Sequence, residues 1–202
     1  LSKTTEVLKI VADVTEENNI YDAVDKAMDQ FSEIDLLVND AGVAVPGPIW
    51  ELPTRDWEWI LHADLMSQVY ALRKVIPIMM KQENGGDILN VASAAGLLTA
   101  PGMPAYYATK FAVVGMSEAV AYDLQAYKQD KIHIHVFTPA FVQTHLMHSE
   151  EYRPAKYTDK TDPYYQSKAF KMGQEMAVKD LTTGLPMDTV PDTIFKGLEN
   201  ND

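Results

Sequence analysis

The chain contains no cysteine. Disulfides and Cys-ligated metal centres are thereby excluded, and the cytoplasm is a compatible setting. Basic residues are scarce: 17 Lys and Arg stand against 29 Asp and Glu, giving a net charge of -12 over 202 residues. No Lys/Arg run is visible, so neither nucleic acid nor an anionic membrane is an expected partner. No apolar stretch reaches the roughly 18–20 residues of a membrane span. A signal-peptide pattern is missing too, since Leu1-Ser2-Lys3-Thr4-Thr5 leads straight into a strand-like run. The chain also begins without methionine, and it is expected to be an internal portion of a longer protein. What is present is ordinary for a globular domain: 47% hydrophobic and 23% charged residues, in a length that suits one domain with a substantial core.

Leu8–Ala12 reads as a strand ending at Asp13. Residues 16–32 read as an amphipathic helix, with Ile20, Val24, Ala27, Met28 and Phe31 at helical spacing and Thr15 as its N-cap. Ile34–Val38 is a short apolar strand of the kind buried in a parallel sheet. It ends in the turn signal Asn39-Asp40-Ala41-Gly42. Residues 54–82 read as a long helix disturbed at Pro77. Asp87–Ala92 is a strand ending at Ser93, 104–128 a helix, and Ile132–Phe137 a strand ending at Thr138-Pro139. Further helices are expected near 163–179 and 188–199. The alternation implies a single α/β domain, 1–202, built on a doubly wound, Rossmann-like parallel sheet. Ligands of such sheets sit beyond the carboxyl ends of the strands, where Asp13, Asn39, Ser93 and Pro139 all fall.

The chemistry concentrates in Tyr106-Tyr107-Ala108-Thr109-Lys110, with Ser93 thirteen residues before the first tyrosine. On a helix, Tyr106 and Lys110 are i and i+4 and share a face. An ammonium beside a phenol is expected to lower the phenol's pKa from about 10, preparing it to exchange a proton with a carbonyl or alcohol. Ser93 can hydrogen-bond the same oxygen. Taken alone, each of these residues has a plainer reading: an exposed helical pair, a turn serine, a capping aspartate. Their joint placement at strand ends is what carries weight.

These residues resemble the short-chain dehydrogenase/reductase family, over about residues 8–145 and again weakly after 185. Asp13-Val14 resembles the pair that borders the adenine ring, and Asn39-Asp40-Ala41-Gly42 the turn that packs against the cofactor. Ser93, Tyr106 and Lys110 match the catalytic Ser, Tyr and Lys. Pro139-Ala140-Phe141-Val142-Gln143-Thr144 resembles the segment beside the nicotinamide, which makes Pro139, Val142 and Thr144 cofactor-binding candidates with Asp13, Val14, Asn39, Ala41, Gly42, Tyr106 and Lys110. The resemblance implies NAD or NADP as cofactor and a small alcohol or ketone as substrate. It also implies a substrate lid at 145–185 and a homodimer or homotetramer built on the two long helices. Three departures stand out. Asp64 replaces the family's Asn in the long helix, where it is a candidate for proton transfer. Ala140 replaces a Gly. The first β-α-β unit, with its Gly-rich phosphate loop and its NAD/NADP-selecting strand, is not seen before Asp13.

Two other readings remain open at this level: an epimerase-type relative using the same Tyr and Lys, and a binding scaffold without catalysis. Other constellations carry less. Gly115-Met116-Ser117-Glu118-Ala119 loosely resembles a hydrolase elbow but lies mid-helix and lacks its last glycine. His133 and His135 share a strand face, with His145 and His148 in the next loop, at spacings too weak for a metal site, and no metal is expected. Met79-Met80 reads as core. Tyr164-Tyr165 and Met172 are candidates either for a pocket wall or for packing of the last helices.

Overall fold

The computed structural model describes residues 5–200; Leu1–Thr4, read above as the lead into a strand, lie outside the described residues, as do 201 and 202. In chain order the elements are α1 (Glu17–Phe31), β1 (Leu36–Asn39), α2 (Thr54–Ile60), α3 (Ser67–Met79), β2 (Gly86–Val91), α4 (Pro104–Ala126), β3 (Ile132–Phe137), α5 (Lys168–Thr182) and α6 (Val190–Asn200). The three strands form a parallel sheet in the order β1-β2-β3. Leu37 of β1, Ile88 of β2 and Ile132 and Ile134 of β3 meet Val24 of α1, Leu72, Val75 and Met79 of α3 and Leu124 of α4 in one apolar cluster. These three helices therefore share one face of the sheet. Side chains alternate along a strand, so Leu36 and Val38 turn the other way and are exposed. The result is a Rossmann-like single domain, a parallel sheet with flanking helices.

Three expectations give way to the structure. Residues 8–12 form no strand, because none of the described residues pairs with them. An extended segment becomes a strand only through a neighbour's N–H and C=O groups, and Val11 is fully exposed. A cavity of about 770 Å³, lined by Ala12, Val14 and Ala27 on one side and Leu36–Ala41 on the other, separates this segment from the free edge of β1. Secondly, Thr15 does not cap α1: its N–H and hydroxyl both donate to Asp13 Oδ1 (2.9 and 2.7 Å), and Glu16 occupies the cap position without a side-chain bond. Finally, the long helix is disturbed at Leu61–Met66 and not at Pro77. There the backbone makes a π-helical turn, in which the Ser67 N–H reaches back to His62 O. Pro77 sits in the last turn of α3, and the helix runs past it to Met79.

Candidate active site

The carboxyl ends of β2 and β3 are fastened together. The Ala92 N–H donates to Phe137 O and the Ala94 N–H to Pro139 O (both 2.8 Å), while Ser93 Oγ donates more weakly to Pro139 O (3.4 Å). Ser93 then caps a short turn, Ala94–Gly96, by accepting from the Ala95 N–H (3.1 Å). That turn packs under the start of α4, which Pro104 opens at a position where no N–H is needed. Tyr106 and Lys110 follow on one helical face and both are buried. The Ser93 hydroxyl is near enough to the Tyr106 phenol to favour its ionised form. Lys110 Nζ lies 5.5 Å from the Tyr106 ring centre and donates to Val91 O (3.3 Å).

Asp64 closes the site from the neighbouring helix. The π-helical turn carries it to full burial, with Oδ1 accepting from the Val43 N–H (2.8 Å) and Oδ2 facing Lys110 Nζ at 3.6 Å. That separation is too long for a direct hydrogen bond, and Oδ2 has no other partner among the described residues. The turn 39–42 passes just outside: a Cβ on Gly42 would sit 3.5 Å from Lys110 Nζ. Burial pushes the Asp64 carboxyl from 3.8 up to about 6, with Lys110 and the Val43 N–H pulling it partly back.

The Tyr106 phenol shifts in the direction opposite to the one expected from a neighbouring lysine. The phenol is held well above its ordinary value, first by burial and then by the Asp64 carboxylate, with the nearby Ser93 hydroxyl a partial offset. Burial is the main cause, since it disfavours the phenolate, and the Asp64 carboxylate, itself 3.6 Å from Lys110 Nζ, adds to it. Apolar groups cover the ring. Met147 and Ala44 pack on Tyr106, joined by Met103, Leu146, Ala177 and Leu181.

The remaining candidates are spread along the strand ends. Asn39 spends its amide on the sheet, donating to Asn90 Oδ1 (2.8 Å); Asn90 in turn donates to Ser117 Oγ (2.9 Å), which donates to Val113 O (2.7 Å). Ser117 thus ties helix to sheet. Val14, Asn39 and Ala41 line the 770 Å³ cavity, away from Ser93, Tyr106 and Lys110. Asp13 holds its own turn through Thr15. Val142 is buried and bridges to Leu185, whereas Thr144 is exposed and accepts from the Leu146 N–H (3.4 Å). Tyr164 and Tyr165 belong to packing: they form an edge-to-face trio with Phe170, while Met172 is exposed. Asp87 went unread in the sequence. Its Oδ1 lies 3.3 Å from His133 Nδ1 and 3.0 Å from His135 Nε2, a pairing set by strand register that only the paired strands reveal.

Comparison with known proteins gives the family. The family model described as short chain dehydrogenase matches residues 1–154. A "CLA biosynthesis dehydrogenase/reductase" of Lactiplantibacillus plantarum is 60% identical over the whole chain, which spans 70% of that protein. A D-beta-hydroxybutyrate dehydrogenase of Rhizobium meliloti is 33% identical over 71% of the chain, which covers 54% of its length. Among solved structures, a short chain dehydrogenase/reductase from Burkholderia phymatum in complex with NAD superposes with a TM-score of 0.92 at 28% identity, over 98% of this chain and 70% of that one. A family match over most of the chain, on a fold that brings Ser93, Tyr106 and Lys110 together, shows that this protein belongs to the short-chain dehydrogenase/reductase family.

Proposed function

We propose that this oxidoreductase interconverts a secondary alcohol and a ketone with NAD or NADP, and that Tyr106 moves the proton. The observation that carries the reading is the buried helical face shared by Tyr106 and Lys110, with the ammonium 5.5 Å from the phenol ring centre and the Ser93 turn packed against the same helix. A nicotinamide nucleotide suits the donor set. Lys110 has three N–H groups, and Val91 O is the acceptor found within hydrogen-bond distance, so donors remain for ribose hydroxyls. Tyr106 and the segment Pro139–Thr144 would border the nicotinamide half, Asp13 and Val14 the adenine ring, and the turn Asn39–Gly42 would pack against the cofactor. When bound, the cofactor gives or takes the hydride.

The chain's own residues do the rest. Ser93 holds the substrate oxygen and stabilises charge developing on it. In reduction the Tyr106 O–H bond breaks as the proton passes to that oxygen, leaving an alcohol. The phenol is protonated at neutral pH, the form from which reduction draws its proton. Asp64, beside Lys110, lies where a proton could be returned to the site. The apolar cover over Tyr106 favours a substrate with a hydrophobic body, of the kind that CLA biosynthesis in the 60% identical relative would handle. We place the lid within 145–185 and carry over a homodimer or homotetramer as the assembly.

Tyr106→Phe keeps the ring and its packing and removes the proton. Turnover with NADH or NADPH is expected to fall by roughly 100- to 10,000-fold, with the thermal midpoint unchanged. A phenylalanine variant within a few-fold of the unmutated rate would remove Tyr106 from the mechanism.

A further inference from the structure

The segment that follows β3 is tied to the body of the protein through one buried carboxylate. Asp56, in the first turn of α2, is fully buried. The Arg153 guanidinium forms an ion pair with it and stacks 4.0 Å over the ring of Trp59. Arg153 Nη1 also donates to Tyr157 O (3.1 Å) and to the Tyr165 hydroxyl (3.2 Å). That hydroxyl lies 2.9 and 2.8 Å from the two Asp56 oxygens, so it accepts from the arginine and donates to the aspartate. Glu150 takes the other guanidinium nitrogen. Outside this cluster, Arg55 pairs with Asp162, and the Tyr164 hydroxyl donates to Pro46 O.

A buried ion pair is a weak source of net stability, because desolvation offsets its attraction, but it tolerates few geometries. Its effect is therefore to set position. What it positions is visible in the same segment: Met147, six residues before Arg153, packs on Tyr106. We propose that Asp56, Arg153 and Tyr165 are positioning residues that hold 145–167 so that Met147 closes the apolar side of the Tyr106 pocket around the body of the substrate. This rests on the oxidoreductase reading above. None of the three takes part in proton transfer, and their influence is on how well a long apolar substrate is held.

The test uses the full chain with Tyr165→Phe, Asp56→Asn and Arg153→Met. Tyr165→Phe is the gentle variant, since the ring still packs on Tyr164 and Phe170. It carries the test if the two charge variants fail to fold. Hydrogen exchange within 145–157 is expected to quicken roughly tenfold while β2 and β3 are unaffected. In reduction assays with NADH or NADPH, the KM for 2-decanone is expected to rise roughly tenfold, with kcat within about twofold and the KM for 2-butanone unchanged. Unchanged exchange in 145–157 overturns the tie itself. Equal KM effects on both ketones, or a loss confined to kcat, overturn the positioning role. If the unmutated protein reduces neither ketone, the enzymatic reading fails, and the exchange result still decides whether the cluster holds the segment.

Discussion

Asp64 is the residue whose behaviour separates this site from a generic Ser-Tyr-Lys arrangement. Its carboxyl titrates at about 6 in the fold against 3.8 in the unfolded chain. The folded state thus holds the proton more tightly. The stability this group contributes is fully present below about pH 4 and is lost as pH rises through about 6. The difference between 3.8 and about 6 corresponds to about 3 kcal/mol. Asp64→Asn keeps an acceptor for the Val43 N–H and cannot ionise, so its unfolding free energy should lack that decline between pH 4 and 7. The comparison is made by denaturant titration at several pH values, and parallel curves for the two proteins would contradict it. Residues of this kind differ in how legible they are. Ser93, Tyr106 and Lys110 were readable because a turn and one helical face bring short spacings together. Arg153 and Asp56 lie 97 residues apart with no motif between them, and only the packed segment reveals the pair.

At the level of elements, the approach of α4 to the Ser93 turn depends on a missing side chain. Gly96 ends that turn, and a Cβ there would stand 2.7 Å from Lys110 O and 2.9 Å from Val114 Cγ2. Backbone cannot yield as a flexible side chain does, so Gly96→Ala must push α4 away from β2. The expected cost is about 1–3 kcal/mol, within the range for overpacking, seen as a lower denaturant midpoint at unchanged slope. Activity should fall further than stability, because the helix that moves carries Tyr106 and Lys110. A midpoint indistinguishable from that of the unmutated protein would show that the turn absorbs the methyl. Most elements lie where periodicity placed them: α1, α4, β2 and β3 match to within a residue or two. The π-helical turn at Leu61–Met66 was not legible, since its composition does not differ from that of an α-helix and its widened bonds answer to the packing of Ala63 and Asp64. The strand expected at 8–12 failed for another reason. Its residues have strand character, but strand formation is a property of a pair.

For the molecule as a whole, the sheet predicts a gradient of local stability. β2 pairs on both sides, with β1 and with β3, and its Ile88, Leu89 and Asn90 are buried. β1 pairs on one side and borders the 770 Å³ cavity, while residues 8–12 have no strand partner among the described residues. Backbone amides exchange through openings whose free energy follows burial and pairing. In native-state hydrogen exchange on the full chain, 86–91 should be the slowest segment and exchange only by global unfolding. Residues 36–39 should be intermediate, and 8–12 should exchange close to the rate of an unstructured peptide. The informative departure is specific. If 8–12 proved as protected as β1, both edges would have to be hydrogen-bonded in solution, and the cavity that lies between them is where a pairing segment would fit. Protection there would mean that an extended segment pairs across the gap, making Val14, Asn39 and Ala41 part of a wall rather than an open rim.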